Sequence, residues 1–217
     1  MLALVESARD LPFRWPGEPD AKTARSLGAG TCASKHALLA EDLSTIGVGS
    51  VPLLMVGPLI PPSLLDDPLF APAKGLTEMH ECLRVETPWA GPLLVDITWD
   101  PVVLAHGFRG TLPWAGVGDM LPAIAPDRGP WEVPREGLRE AKERLRLELY
   151  QPSERGLRYR TLLALSDRFE QWRRLPGGLS ACGGAVPSRG TDDLDPLTDC
   201  DTPSTGKRIV RHHGLPR

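Results

Sequence analysis

The alternation of apolar and polar side chains predicts two β-strands in the middle of the chain. In residues 78–87, Leu83 and Val85 lie on one face, and more polar side chains lie on the other. Residues 92–100 alternate with the same period, and the segment between them, residues 88–91 (Pro-Trp-Ala-Gly), has the composition of a turn. We therefore expect the two strands to form an antiparallel hairpin.

Apolar residues at helical spacing predict helices on both sides of this hairpin. A short helix is expected over residues 2–9, and two longer helices over residues 134–150 and 153–174. Residues 51–57 form an apolar run bounded by turn-forming residues, which is typical of a buried strand. Residues 101–133 are rich in glycine, proline and tryptophan without a clear period, so we expect mostly loop there.

A further helix is expected to begin at Cys32, after a glycine-rich approach. Thr31 is a suitable N-cap, because its hydroxyl can accept a bond from a free backbone N–H of the first turn. At about 3.6 residues per turn, Cys32 shares one face of this helix with His36, Leu39 and Ile46. The cysteine therefore stands at the start of a stripe that we expect to be buried.

Length and composition favour one domain followed by a tail. The chain has 217 residues, which is enough to bury one sizeable core. From residue 176 to the end, glycine, proline, serine and charged residues dominate, and apolar residues are sparse. We expect residues 1–175 to form the domain and residues 176–217 to form a flexible, disordered tail.

Charge and hydropathy weigh against several classes of partner. The 25 basic and 28 acidic residues give a formal net charge of -3, which is too balanced for a nucleic-acid or membrane-binding surface. The chain has neither an apolar run of membrane-spanning length nor the pattern of a signal peptide, so we expect a cytoplasmic protein. Its four scattered cysteines do not suggest a disulfide framework. A peptide or a small molecule is the favoured partner.

The candidate chemistry is that of a nucleophilic thiol. A cysteine in the first turn of a helix sees the positive end of the helix dipole and free N–H groups, which favour the thiolate and can stabilise an oxyanion. Such a thiol needs a base, and the base needs an orienting group. If even-numbered residues pair with each other in the hairpin, His80 and Asp96 project the same way and can form a hydrogen bond.

Two segments, GAGTCASKHALLAEDLSTIG at 28–47 and MHECLRVETPWAGPLLVDITWDP at 79–101, together resemble the core of the transglutaminase-like superfamily of cysteine enzymes. The resemblance implies an α+β fold in which the cysteine-bearing helix packs on an antiparallel sheet, here followed by C-terminal helices. It also implies Cys32 as the nucleophile, His80 as the general base and then acid, and Asp96 as the residue that holds the imidazole. The substrate does not follow from the resemblance, because the superfamily includes peptidases, amidases and members that have lost activity.

Several neighbouring residues are candidates for secondary roles. Asp100 competes with Asp96 as the orienting group, but its position before a proline is more typical of a strand end. Lys35 could contact a substrate carboxylate or be a solvated helix residue, and His36 could line the cleft or be a buried, hydrogen-bonded histidine. Trp114 is expected to wall the cleft. We therefore name Lys35, His36 and Trp114 as candidate substrate-binding residues.

Two alternatives to the enzyme stay open at this point. The same fold could serve as a binding module without catalysis, with Cys32 as a structural residue. A tetrahedral zinc site could also be formed by Cys32, His36, His80 and Cys82, although their spacing matches no familiar zinc motif. The acyl-transfer mechanism itself needs no cofactor and no metal, and its substrate would be a peptide or a small amide or acyl compound.

Overall fold

The computed structural model describes residues 1–175, and the tail predicted over residues 176–217 lies outside the described residues. The described part is a mixed α+β structure, as predicted. Its helices are α1 (Leu2–Asp10), α2 (Ala21–Leu27), α3 (Cys32–Thr45), α4 (Pro101–Ala105), α5 (Leu138–Leu149) and α6 (Arg155–Arg174). Its strands are β1 (Ser50–Pro58), β2 (Thr77–Thr87), β3 (Gly91–Val95) and β4 (Arg128–Glu132). Short 3-10 helices cover Pro62–Leu64, Ala71–Ala73, Arg135–Gly137 and Pro152–Glu154.

The strands form one sheet in the order β3-β2-β1-β4, and every neighbouring pair is antiparallel. The predicted hairpin is confirmed as the pair β2 and β3. Arg84 lies opposite Leu94, so even-numbered residues pair with even-numbered residues, as the contact between His80 and Asp96 requires. The buried strand is also confirmed, because Leu54 and Met55 of β1 are both fully buried although they point to opposite faces.

The second strand of the hairpin is shorter than predicted. It was expected over residues 92–100, but β3 ends at Val95. The next three backbone N–H groups, those of Asp96, Ile97 and Thr98, donate to side chains instead of to β2. The chain therefore leaves the sheet at Asp96, the residue that contacts His80.

The region 101–133, which we expected to be mostly loop, contains helix α4 and strand β4. β4 pairs with β1 at the edge of the sheet, with a shift of register between Leu54 and Val56. Its sequence includes Gly129 and Pro130, so it carries no alternating pattern from which a strand could be predicted.

Two short helices that periodicity did not predict begin at aspartate caps. The Asp20 carboxylate accepts from the Thr23 N–H at 2.8 Å before α2, and Gly28, in the left-handed conformation (φ 60°), caps the other end of this helix. The Asp100 carboxylate accepts from the Val102 N–H at 3.2 Å before α4. Helices this short depend on their caps and on packing, because propensity alone does not stabilise them.

Helix α3 lies against the hairpin and forms the centre of the main core. Leu39 and Leu43 of the helix are fully buried in one cluster with Leu83 and Val85 of β2. Ile46, which we predicted on the buried face, is instead 50% exposed. Ile46 follows the last residue of α3 and has left the helical conformation (ψ 15°), so its side chain no longer follows the stripe.

A second core is built from aromatic rings and joins α6 to the rest of the domain. Phe169 of α6 is fully buried. The centroid of its ring lies 5.0 Å from the ring centroid of Phe108, 5.6 Å from those of Trp99 and Trp172, and 5.9 Å from that of Phe13. These five rings, which we call the aromatic cluster, connect the segment after α1, the segment after β3 and the end of α6. They therefore support the segments that surround the candidate site.

Helix α6 spans 20 residues, but only one stripe of it is apolar. Leu165 and Phe169 point into the protein, whereas Arg155, Arg160 and Arg174 are exposed. Across residues 1–175, no helix combines the length and the apolar character needed to cross a membrane.

The aromatic cluster predicts a large effect of truncating Phe169. Phe169→Ala removes a fully buried ring, so the free energy of unfolding should fall by about 3 to 5 kcal/mol in urea titrations. The matched control on the same helix is Leu163→Ala, which truncates a side chain that is 37% exposed and should change stability by less than about 1 kcal/mol. Equal losses in the two variants would contradict the described packing of α6.

Candidate active site

The structure fixes Cys32 as the first residue of α3, where it is half-buried. The Thr31 hydroxyl accepts from the Ser34 N–H at 3.3 Å and so caps the helix, as predicted. Gly30 allows this entry, because a Cβ at that position would lie 2.3 Å from the Ser34 hydroxyl oxygen. The glycine-rich approach therefore brings the chain close against the first turn and leaves the Cys32 thiol at the helix terminus.

His80 on β2 and Asp96 after β3 form a short hydrogen bond, as predicted from the register. The Nε2 atom of His80 lies 2.6 Å from Oδ2 of Asp96, and both side chains are buried. The same carboxylate accepts from the Ala123 N–H at 2.7 Å and, through Oδ1, from the Thr98 N–H at 3.0 Å and the Thr98 hydroxyl at 2.7 Å. Four donors thus hold Asp96 in one orientation.

The other side of the His80 ring faces Cys32. The Cys32 thiol is one of the groups that raise the pKa of the His80 imidazole, and both side chains line the same cavity. Since Nε2 of His80 is bonded to Asp96, Nδ1 is the ring nitrogen that is left for the thiol. The structure therefore brings Cys32, His80 and Asp96 into one connected chain of contacts.

Opposite charges on His80 and Asp96 offset the cost of burying the two side chains. Burial by itself would lower the pKa of His80, but the negative charge of Asp96 and the hydrogen bond to it, with a further contribution from Cys32, raise that pKa well above its ordinary value. Burial likewise opposes ionisation of Asp96, but the His80 imidazole and the Ala123 N–H hold the pKa of Asp96 well below its ordinary range. At neutral pH the two residues form an imidazolium–carboxylate pair.

Asp100, the competing candidate for the orienting role, has different partners. Its carboxylate caps α4, accepts from the Phe13 N–H at 3.1 Å and forms an ion pair with Arg173 of α6. Asp96 is thus the carboxylate that contacts His80, as the strand context indicated, and Asp100 links α4 to α6.

His36 is a buried, hydrogen-bonded histidine and does not line the cavity. Its Nε2 accepts from the Ile97 N–H at 3.0 Å, so its Nδ1 must carry the hydrogen and donate to the Cys32 carbonyl at 2.7 Å. Burial lowers the pKa of His36 to about 4, which agrees with a neutral ring. Of the two possibilities left open for His36, the structure supports the structural one, and the expected substrate contact is corrected.

The predicted substrate contact of Lys35 is also wrong, because its side chain is fully buried. Its Nζ donates to the carbonyls of Arg9 and Thr98, each at 2.9 Å. Arg9 belongs to the last turn of α1, where free carbonyls and the negative end of the helix dipole favour a cation. Burial nevertheless lowers the pKa of Lys35 to about 7. Lys35 therefore joins α1, α3 and the segment after β3, and its amine cannot reach a substrate.

Trp114 does not wall the cavity as expected. Only 6% of it is exposed, and it lies in the main core with Val5 and Met120. Its indole N–H donates to the Gly118 carbonyl at 3.0 Å, so its polar edge is satisfied within its own loop. The physical reason is that this loop folds back against α1, where a large apolar ring is buried.

The zinc alternative lacks the ligand atoms that it needs. Both ring nitrogens of His36 have partners in the chain, and His80 is bonded to Asp96. Cys82 is fully buried among apolar side chains, which raises the pKa of its thiol. Within residues 1–175, no group of three or more histidine, cysteine, aspartate or glutamate side chains is placed to hold a metal ion.

Cys32 and His80 lie on the wall of an open cavity of about 830 Å³. Trp15 and Trp99 contribute to the wall beside them, and Arg139 and other side chains of α5 form another part of it. Sequence reasoning missed the contribution of α5. The basic residues of α5 recur at helical spacing in the sequence, but such a pattern does not reveal which part of the protein that face of the helix contacts.

Comparison with protein-family models, with curated proteins and with solved structures gives no match for this chain. The resemblance to the transglutaminase-like superfamily therefore stays a prediction. The catalytic roles of Cys32, His80 and Asp96 stay predictions as well, supported by their contacts.

The buried amine of Lys35 predicts a pH-dependent term in stability. Its pKa is about 7 in the folded protein against an ordinary value of 10.5, so the unfolded chain binds more protons between these two pH values. Stability from this term is therefore full above pH 10.5 and is lost as the pH falls towards 7. Lys35→Met removes the term, so the advantage of the wild type in free energy of unfolding should grow with pH, by about 1.4 kcal/mol per pH unit between the two values.

The measurement is urea unfolding of both proteins at several pH values across this range. The matched control is Lys22→Met, which changes an exposed lysine on α2 and should give a constant difference from the wild type. Parallel pH curves for the wild type and Lys35→Met would show that Lys35 titrates normally in the folded state.

Proposed function

We propose that this protein is a cysteine-dependent acyl-transfer enzyme of the transglutaminase-like type. The observation that carries the proposal is the position of His80, which contacts the Cys32 thiol on one side and the Asp96 carboxylate on the other, at the wall of a large cavity. A peptide or a small amide or acyl compound fits a cavity of this size.

In the first step, the Cys32 sulfur attacks the carbonyl carbon of the substrate. The proton of the thiol resides on His80 during the attack, and Asp96 stabilises the imidazolium. The sulfur–carbon bond forms, and the carbonyl oxygen becomes an oxyanion.

The start of α3 supplies donors for this oxyanion. The first N–H groups of a helix have no carbonyl partner within it, and those of Cys32 and Ala33 belong to this set. The Ser34 N–H is already bonded to the Thr31 hydroxyl, so it is not among the donors. Ala33 lies in the cavity wall beside Cys32, where the oxyanion would form.

In the second step, the carbon–nitrogen bond breaks, and the His80 imidazolium gives its proton to the leaving amine. A thioester remains on Cys32. Water or an amine then attacks the thioester, with His80 acting as the base, and the thiol is restored. The bond to Asp96 keeps the His80 ring in place through both proton transfers.

This mechanism predicts that Cys32→Ala abolishes turnover of acyl donors such as p-nitrophenyl acetate and a panel of peptide amides. The variant should keep the thermal transition of the wild type, because Cys32 is half-buried at a helix terminus and makes little contact with the core. Cys182→Ala, which removes another thiol of the chain, is the matched control and should keep full activity. Unchanged turnover in Cys32→Ala would falsify the nucleophile assignment.

A second prediction concerns Asp96→Asn. The amide keeps the size of the side chain but removes the charge that raises the pKa of His80, so this pKa should fall towards or below its ordinary value. Turnover should drop by roughly 10² to 10⁴, and the high-pH limb of the turnover profile should move to lower pH. Titration of the His80 ring by NMR gives a readout that does not depend on activity.

The control for Asp96→Asn is Asp119→Asn. Asp119 also accepts a backbone N–H near β3, that of Leu94 at 2.8 Å, but it is exposed and lies outside the contact with His80. If both variants left the His80 titration unchanged, Asp96 would not be the group that sets the charge of His80.

A further inference from the structure

One wall of the cavity is a row of basic side chains from α5 and the 3-10 turn before it. Arg135, Arg139, Lys142 and Arg146 all line the cavity, together with Leu138. Their spacing of four, three and four residues places them along one face of the helix. The cavity that holds Cys32 is therefore bordered by a continuous cationic stripe, which we call the α5 wall.

Part of the α5 wall is neutralised by the protein itself. Lys142 forms an ion pair with the buried Glu81, and Arg146 lies 2.7 Å from Glu143 on the same helix. Glu78, a further carboxylate of the cavity, is held by an arginine of α6 at 2.7 Å. Three of the acidic side chains of the cavity are thus already paired with cations.

The other end of the α5 wall has no such compensation. Arg139 is exposed and makes no hydrogen bond or ion pair within residues 1–175, and Arg135 donates only to the Ser50 hydroxyl at 3.3 Å. The remaining carboxylate in the cavity is Glu18, which lies on the segment after α1 and also lacks a partner in the described part of the chain. Within residues 1–175, two guanidinium groups without a carboxylate partner thus stand on one wall, and one carboxylate without a cation stands on another.

From this distribution we infer that the acyl donor of the enzyme carries a carboxylate, which binds at Arg135 and Arg139 while the scissile carbonyl lies at Cys32. The inference depends on the proposed function and names its substrate class, an acidic peptide or acidic amide. Guanidinium groups recognise carboxylates through paired, charge-assisted hydrogen bonds, and a cleft lined by one sign of charge attracts ligands of the opposite sign.

The test uses two alkylating reagents that differ in charge. Iodoacetate carries a carboxylate, iodoacetamide is its neutral analogue, and both alkylate the Cys32 sulfur with release of iodide. Their rate constants at Cys32 are measured on the full chain at low ionic strength by peptide mass spectrometry. The ratio of the two rates reports the electrostatic potential at the thiol, and changes of this ratio between variants isolate the contribution of the α5 wall from that of His80.

We expect Arg139→Gln to lower the iodoacetate-to-iodoacetamide ratio by about two- to five-fold, and Arg135→Gln combined with Arg139→Gln to lower it further. The rate with iodoacetamide should stay constant, which shows that the fold and the thiol are intact. The matched control is Arg144→Gln, which removes the same charge from α5 outside the cavity wall and should leave the ratio unchanged. Added salt should reduce the difference between wild type and variants.

Each outcome decides a separate point. An unchanged ratio in the double variant, or an equal fall in Arg144→Gln, would overturn the carboxylate site while leaving Cys32 as a nucleophile. If iodoacetamide labels Cys32 of the wild type no faster than it labels a short cysteine peptide, the proposed function fails instead, whatever the ratio is. With active enzyme, peptide amides bearing an acidic side chain should show a higher kcat/KM than their neutral amide analogues, and Arg139→Gln should reduce this preference.

Discussion

The candidate site depends on how three consecutive residues are held after they leave the sheet. The backbone N–H groups of Asp96, Ile97 and Thr98 do not bond to the backbone of β2, and each of the three residues is fixed by a side-chain contact. The His80 imidazole bonds to the Asp96 carboxylate. The His36 ring accepts from the Ile97 N–H, and the Thr98 carbonyl accepts from the Lys35 amine. Because both α3 residues follow Cys32 by one turn, the helix that presents the thiol also positions the carboxylate that orients the imidazole. The positions of Cys32 and His80 are thereby linked through contacts of one helix.

Two of these buried groups act on stability in opposite directions. Lys35 has a lowered pKa, so its contribution grows as the pH rises from about 7 to 10.5. His80 has a raised pKa, so its contribution is full below its ordinary value and is lost as the pH rises through the raised one. The two windows overlap, and the opposing slopes offset each other. A site that contains a buried amine and a buried imidazolium can thus keep nearly constant stability across neutral and mildly alkaline pH.

Much of the site could be predicted because it depends on periodic signals. The alternation in β2 and β3 predicted the hairpin, and the pairing of even-numbered residues, on which the contact between His80 and Asp96 was conditional, is the register observed. The cap at Thr31 predicted the helix start at Cys32. The misses have a common cause. Lys35 and Trp114 lie on elements whose neighbours are set by tertiary packing, so their surroundings could not be inferred from the local sequence. The same holds for the cavity face of α5 and for β4, whose pairing depends on β1 and leaves no pattern in its own residues.

In the proposed mechanism, the burial of Lys35 keeps its amine away from the thioester on Cys32. With a pKa of about 7, a sizeable fraction of this amine is unprotonated at neutral pH, and an unprotonated amine three positions from an activated acyl group is a competent internal acceptor. Both of its observed hydrogen bonds run to carbonyls beneath the helix, and its surface is inaccessible. In the proposed mechanism, this burial keeps Lys35 from accepting the acyl group, which would persist until an acceptor arrives from solution.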